Sequence, residues 1–221
     1  MLVQANPDNL QSLAVLGPPS SVDGRGAGLP LPITLAEYRA ILARTRSIRD
    51  RLLVRLLWES GARISEVLGL RPADVDHAEG ALRLVNRKQR KASNRSKLVY
   101  VSRDLCAELD AYARAFGVRK TDRFLQSRQG LRLSPATGWR VVTAAASAAG
   151  VRVEGRRGEL VPASPLNFRH GNAVHQLRSG VPITEVQRQL GHSRIESTLV
   201  YTKLTNPQRR EFADRRFQED A

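Results

Sequence analysis

The sequence predicts an α+β fold that is mainly helical, with one small antiparallel sheet. Three observations carry this. Between residues 34 and 203, most segments repeat their apolar residues at helical spacing. One interval breaks that rhythm with two short strand-like runs, 81–85 and 97–101. At 221 residues the chain is long enough to bury a sizeable core without a disulfide or metal staple.

The elements follow in order. Residues 1–31 are dense in Gly, Pro, Ser and Asp and read as a flexible tail or linker, too short and broken for a domain. Thr34-Leu35-Ala36-Glu37 has the form of a capping box and opens a helix to about Arg46. A second helix starts near Ser47, carries Leu52, Leu53, Leu56 and Leu57 on helical spacing, and stops at Gly61. The run Ala62–Leu70 is a short helix, closed off by Arg71-Pro72. Strands at 81–85 and 97–101 flank a basic, polar loop. Helices are then expected over 104–116, 135–149, 167–179, 182–190 and 194–203. A last one opens at Asn206-Pro207, with Asn as cap and Pro at the first position, and Phe212 and Phe217 make it amphipathic. Trp58 and Trp139 are expected in the core rather than as platforms for stacked bases.

Charge points to a partner. The formal net charge is +15, from 36 basic residues against 21 acidic ones, and only five of the 36 are lysine. An arginine-rich genome explains a swap of Lys for Arg, but not the excess of positive charge. A polyanion explains the excess, through phosphate neutralisation and counterion release. Charge alone does not separate DNA from RNA.

Several classes are set aside. The single cysteine, Cys106, excludes an intrachain disulfide and suits a reducing, cytoplasmic compartment. His77, His170, His175 and His192 are scattered, without the spacing of a zinc site, so neither a metal nor a cofactor is expected. No apolar run is long enough to span a membrane, and the first residues lack the basic and apolar regions of a secretory signal.

Four pieces then appear in one order: Gly61-Ala62-Arg63-Ile64-Ser65-Glu66; Lys88, at the end of a strand; Ser164-Pro165-Leu166-Asn167-Phe168-Arg169-His170; and Leu190-Gly191-His192, with Tyr201 nine positions later. Together they resemble the tyrosine recombinase (phage integrase) family, over about Thr34 to Phe212. The resemblance implies the catalytic-domain fold of that family for residues 32–221, with a three-stranded sheet at one side. It also implies roles: Arg63 and Arg169 as the two active-site arginines, Lys88 as the hairpin lysine, His192 as a further phosphate ligand and Tyr201 as the nucleophile. Each residue has a plainer alternative: Arg63 or Arg169 as a surface arginine, Tyr201 as core, His192 as a helix-end residue, Lys88 as one cation of a solvated loop.

The chemistry agrees with the resemblance. Cleavage of a DNA phosphodiester passes through a phosphorane-like state with extra negative charge on the non-bridging oxygens. Arginine offers planar, permanently charged forks suited to phosphate, and Arg63 and Arg169 supply two of them, with His192 donating one more hydrogen bond. The leaving 5′ oxygen needs a proton, which lysine can give and arginine cannot. Lysine is scarce, yet Lys88, Lys91 and Lys97 cluster; this favours a hairpin lysine as acid, with Lys88 ahead of Lys91. A phenol nucleophile gives a 3′-phosphotyrosine that stores the bond energy, so rejoining needs no ATP. Glu66 reads as a buried carboxylate that orients the cations, while His170 and Lys91 stand behind the cluster.

Two departures from the family pattern matter. The histidine expected three residues before Arg169 is replaced by Leu166. That histidine is thought to help remove the phenol proton; a water, or His170 after rearrangement, is left to take its place. Residues 1–31 also cannot form the N-terminal DNA clamp of many members, so the sequence is either a piece of a longer protein or a small stand-alone member.

The function expected is site-specific recombination of double-stranded DNA by integration, excision, inversion or resolution, with four protomers joined in the synapse. In the family, a C-terminal segment like 206–221 often docks on a neighbouring subunit; packing on its own domain is the alternative. A catalytically weakened DNA-binding member is the main rival, motivated by Leu166, and a type IB topoisomerase a lesser one.

Overall fold

A computed structural model describes residues 31–85, 96–127, 129–155 and 157–204. The tail (1–30), the loop carrying Lys88 and Lys91, and the C-terminal segment 206–221 lie outside the described residues.

The architecture is α+β and mainly helical. The elements run α1 (Leu35–Ala43), α2 (Ile48–Ser60), α3 (Ile64–Val67), β1 (Val75–Asp76), β2 (Ala81–Val85), β3 (Ser96–Tyr100), α4 (Arg103–Ala115), α5 (Pro135–Ala148), β4 (Arg152–Glu154), β5 (Leu160–Pro162), α6 (Pro165–Arg178), α7 (Ile183–Leu190) and α8 (Glu196–Leu199). A 3-10 turn, Val200–Leu204, continues α8. Among the described residues no helix is long and apolar enough to cross a membrane.

Local chemistry sets the helix ends. The capping box of α1 forms: Glu37 N–H donates to Thr34 Oγ1 at 3.2 Å, and Thr34 N–H donates to Glu37 Oε2 at 2.6 Å. Ser47 caps α2 by accepting from Asp50 N–H at 3.1 Å. Gly61 ends α2 in the left-handed region, φ +58°, which a residue with a side chain rarely adopts. A Cβ there would also run into Asn172 Oδ1 on α6.

α2 is the centre of the core and packs on α1, α4, α5 and α6. Leu52, Leu53, Leu56 and Leu57 are fully buried, each contributing about 1.5–3 kcal/mol of apolar burial. Trp58 stacks on Tyr38 with ring centroids 4.7 Å apart, and Phe168 of α6 meets Tyr38 edge-on at 6.5 Å. A second, much smaller cluster holds Ala173, Val174, Val186, Leu190 and Tyr201, where α6, α7 and the 3-10 turn meet.

The predicted sheet is three-stranded, order β1-β2-β3, with Ala81 opposite Tyr100 and Val85 opposite Ser96. Three details differ from expectation. A second, two-stranded sheet pairs β4 with β5, Val153 opposite Val161; strands of three residues are too short to show a period of two. The helix expected over 194–203 is one turn of α-helix running into the 3-10 turn. Trp139 is not core but 51% exposed. The buried stripe of α5 is Gly138, Val142, Ala145 and Ala146, and Trp139 stands about 100° around the helix from its start. Trp58, by contrast, is buried as expected.

Candidate active site

Four separate stretches of chain converge on one pocket of about 520 Å³, lined by Arg63, Leu166, Arg169, His170, His192 and Tyr201 among others. α6 provides the floor. Ser164 and Asn167 close its N-terminus, with Ser164 N–H donating to Asn167 Oδ1 at 2.8 Å, and Pro165 occupies the first turn.

Arg169, on α6, is 4% exposed. Its two terminal nitrogens donate to Gly61 O and Leu190 O, both at 2.8 Å. Those carbonyls close α2 and α7, so the cation sits where two helix ends present negative partial charge. The guanidinium has five N–H donors and keeps others for a ligand. Burial, helped by the neighbouring Arg63, pulls it down to about 10, with Glu66 and Tyr201 opposing; it remains charged at neutral pH.

Arg63 is the residue before α3 and keeps its side chain half-exposed. Glu66, 3% exposed, holds it twice: Arg63 N–H donates to Oε2 at 3.0 Å and Nη1 to Oε1 at 3.3 Å. Burial pushes the Glu66 carboxyl up, but the Lys97 ammonium, the Arg63 backbone N–H, and the Arg63 and Arg169 guanidinia outweigh it, so the group is held below the usual carboxylate range.

His192 follows Gly191, which closes α7 at φ +68°. Its Nδ1 is 2.9 Å from Thr198 Oγ1, a contact that fixes the ring's orientation. Burial first, then Arg169, Arg63, Lys97 and His170, push the imidazole down to about 4, so it is neutral at pH 7.

Tyr201 is 2% exposed, and its Oη lies 2.7 Å from His170 Nδ1. Burial raises the phenol above its ordinary value, with Arg169 opposing.

The structure therefore brings together Arg63, Glu66, Arg169, His192 and Tyr201, with His170 and Leu166 beside them. Lys88 and Lys91 lie outside the described residues. Sequence reasoning missed two residues. Thr198 is fully buried behind His192. Lys97, on β3, donates to Gln189 O at 2.9 Å and Leu190 O at 3.1 Å, and pairs with Glu66 Oε2 at 3.4 Å. Burial lowers Lys97 to about 8, against the pull of Glu66. The one signal for Lys97 was its place in the lysine cluster. Among the described residues, no group of three His, Cys, Asp or Glu side chains is placed to hold a metal ion.

Comparison with known proteins follows the same outline. The profile of the phage integrase family matches residues 33–207. The chain is 29% identical over 185 residues to tyrosine recombinase XerA of Pyrococcus horikoshii, covering 83% of this chain and 60% of that protein. It is 32% identical over 198 residues to tyrosine recombinase XerD of Mycobacterium leprae, covering 81% and 58%. The chain thus spans about three fifths of the length of these relatives. Among solved structures, that of XerA recombinase matches with TM-score 0.68 and 22% identity, over 89% of this chain and 66% of that one. XerH site-specific recombinase, bound to palindromic difH substrate in a post-cleavage complex, matches with TM-score 0.69 and 20% identity, over 87% and 55%. These two likenesses speak to the fold, the catalytic domain of tyrosine recombinases.

Proposed function

The chain belongs to the phage integrase family, and from that premise we propose that it cleaves and rejoins double-stranded DNA at a specific site through a 3′-phosphotyrosine on Tyr201. One observation carries the proposal: Arg63, Arg169, His192 and Tyr201, from distant parts of the chain, line a single pocket.

In this reading the scissile phosphate enters the pocket with its non-bridging oxygens toward Arg63 and Arg169. Both cations are held before DNA arrives, one by Glu66 and the other by two helix-end carbonyls. Such preorganised charge stabilises the developing phosphorane without reorganisation cost. His192, neutral and oriented by Thr198, donates one hydrogen bond to the same group. Tyr201 Oη attacks phosphorus, the bond to the 5′ oxygen breaks, and Lys88 is the proposed donor of that oxygen's proton. Attack by another 5′-hydroxyl reverses the chemistry on a new partner strand. Four protomers on two duplexes would complete an exchange in two such rounds.

A nicked half-site duplex, its sequence found by selection from random DNA, tests this. A protein–DNA adduct that survives denaturant is expected from the native chain and none from Tyr201→Phe. The second reading, a DNA-binding member that has lost cleavage, is favoured by Leu166 and predicts tight binding of the selected site with no adduct at any pH.

A further inference from the structure

The pocket contains an imidazole in contact with the proposed nucleophile. Leu166 stands where the family pattern has histidine, and its side chain lines the pocket while 48% exposed. His170 lies four residues on, one turn along the same face of α6. It is 6% exposed, its Nδ1 is 2.7 Å from Tyr201 Oη, and the two ring centroids are 5.4 Å apart. No rearrangement separates it from the phenol.

Hydrogen-bond bookkeeping decides which way the proton points. Among the described residues, His170 Nε2 has no partner, and the phenol has no acceptor besides His170 Nδ1. If Nδ1 carried the hydrogen, both the phenolic O–H and the Nε2 lone pair would be left unpaired. If Nδ1 accepts, only the Nε2 hydrogen is. An unmade hydrogen bond at a buried donor costs about 1–3 kcal/mol, so the arrangement with fewer orphans is the stable one. The resting phenol therefore already aims its proton at an imidazole lone pair.

We propose that His170 takes the Tyr201 proton during attack on the scissile phosphate, filling the role left empty at Leu166. This rests on Tyr201 being the nucleophile. As the Oη lone pair forms the bond to phosphorus, the O–H proton passes to Nδ1. The bond between phosphorus and the 5′ oxygen breaks with its electron pair on oxygen, which takes a proton from the hairpin acid. On rejoining, the His170 imidazolium returns its proton to the departing phenol.

The charged and titratable groups around His170 are Arg169 on its own helix, Tyr201 on the 3-10 turn and His192 after α7. Burial, then Arg169, push His170 down to about 4, so it is neutral and able to accept at pH 7, though a weak base. The docked phosphate offsets the field of Arg169 and raises that basicity where it is needed.

The experiment compares the rate of adduct formation on the nicked half-site for the native chain, His170→Gln, and His170→Gln combined with Leu166→His. His170→Gln should slow the reaction about 100-fold near pH 7, the lower end of what a general base contributes, with the DNA concentration for half-maximal rate little changed. The deficit should shrink as pH rises past the ordinary phenol value of about 10 toward this phenol's own, higher pKa, where hydroxide removes the proton instead. Leu166→His should recover at least about tenfold of the loss. A substrate with sulfur at the leaving 5′ position, which needs no acid, should give no recovery. A His170→Gln rate within about twofold of native, or a deficit equal at every pH, overturns the proposal; the second outcome marks a packing role. No adduct from the native chain would overturn the nucleophile assignment itself, and this inference with it.

Discussion

Arg169 shows how much one side chain is asked to do. It bridges the last carbonyls of two helices and still faces the pocket with spare donors. Arg169 meets the two carbonyls with two different nitrogens, a spread that the single nitrogen of a shorter lysine lacks. Arg169→Lys should therefore keep the fold but slow adduct formation by about 100-fold or more, the usual cost of losing one preorganised donor; single-turnover rates on the nicked half-site check this. At this scale the sequence was informative where a residue travels with its neighbours. Arg63 and Arg169 each sit in a local motif, and Tyr201 is at a fixed spacing from His192. Lys97 escaped because its partners, the Glu66 carboxylate and two main-chain carbonyls 92 and 93 residues away, are distant in the chain and leave no local pattern. The contact between His170 and Tyr201 escaped for a similar reason: it spans two helical segments, and only packing fixes the 2.7 Å separation.

Between elements, Lys97 is the joint linking β3, α3 and the end of α7. It shares the Leu190 carbonyl with Arg169 and the Glu66 carboxylate with Arg63, so the sheet and both arginines are tied through one ammonium. Gly191 belongs to the same joint, since a Cβ there would stand 3.0 Å from Lys97 Cδ. Lys97→Met keeps the packing of the stem and removes the charge. It leaves Gln189 O without this donor and Glu66 with the two arginines only, a loss of about 1–3 kcal/mol. A lower urea midpoint with unchanged slope is the expected result. Elements were the most legible level of the sequence: α2, β2 and α5 fall within a residue or two of where periodicity placed them. Trp139 was misread because apolar character was taken for burial, whereas close approach of α5 at Gly138, which packs on Ile64, selected the neighbouring face.

The whole molecule keeps two neutral imidazoles, His170 buried and His192 half-buried, beside fixed cations. His170 and His192 are both held near 4 in the fold, below the ordinary histidine value of about 6.5. The unfolded chain therefore binds protons first as pH falls below about 6.5, and stability drops until about 4, where the folded state also protonates. The His170 shift, from burial and then Arg169, accounts for on the order of 3 kcal/mol of that loss, with less from His192, which is nearer solvent. Urea unfolding at pH 7 and pH 4.5 should show this, and His170→Gln should lose less on acidification than the native chain. What no local pattern could supply was the meeting point itself. The pocket exists because α2, α6 and α7 pack with their ends together, which is a property of the three-dimensional arrangement.

The division of the apolar interior has its own consequence. Tyr201 packs with Ala173, Val174, Val186 and Leu190 and bonds His170, apart from the large cluster built on α2. The segment from Glu196 to Leu204 is one turn of α-helix and a 3-10 turn, with few main-chain bonds to break. Opening there leaves the large cluster on α2 untouched, so amide protons there should exchange with solvent far sooner than those of Leu52–Leu57. Such opening would part Tyr201 from His170 while the domain stays folded, so the imidazole serves the phenol only while this segment is closed.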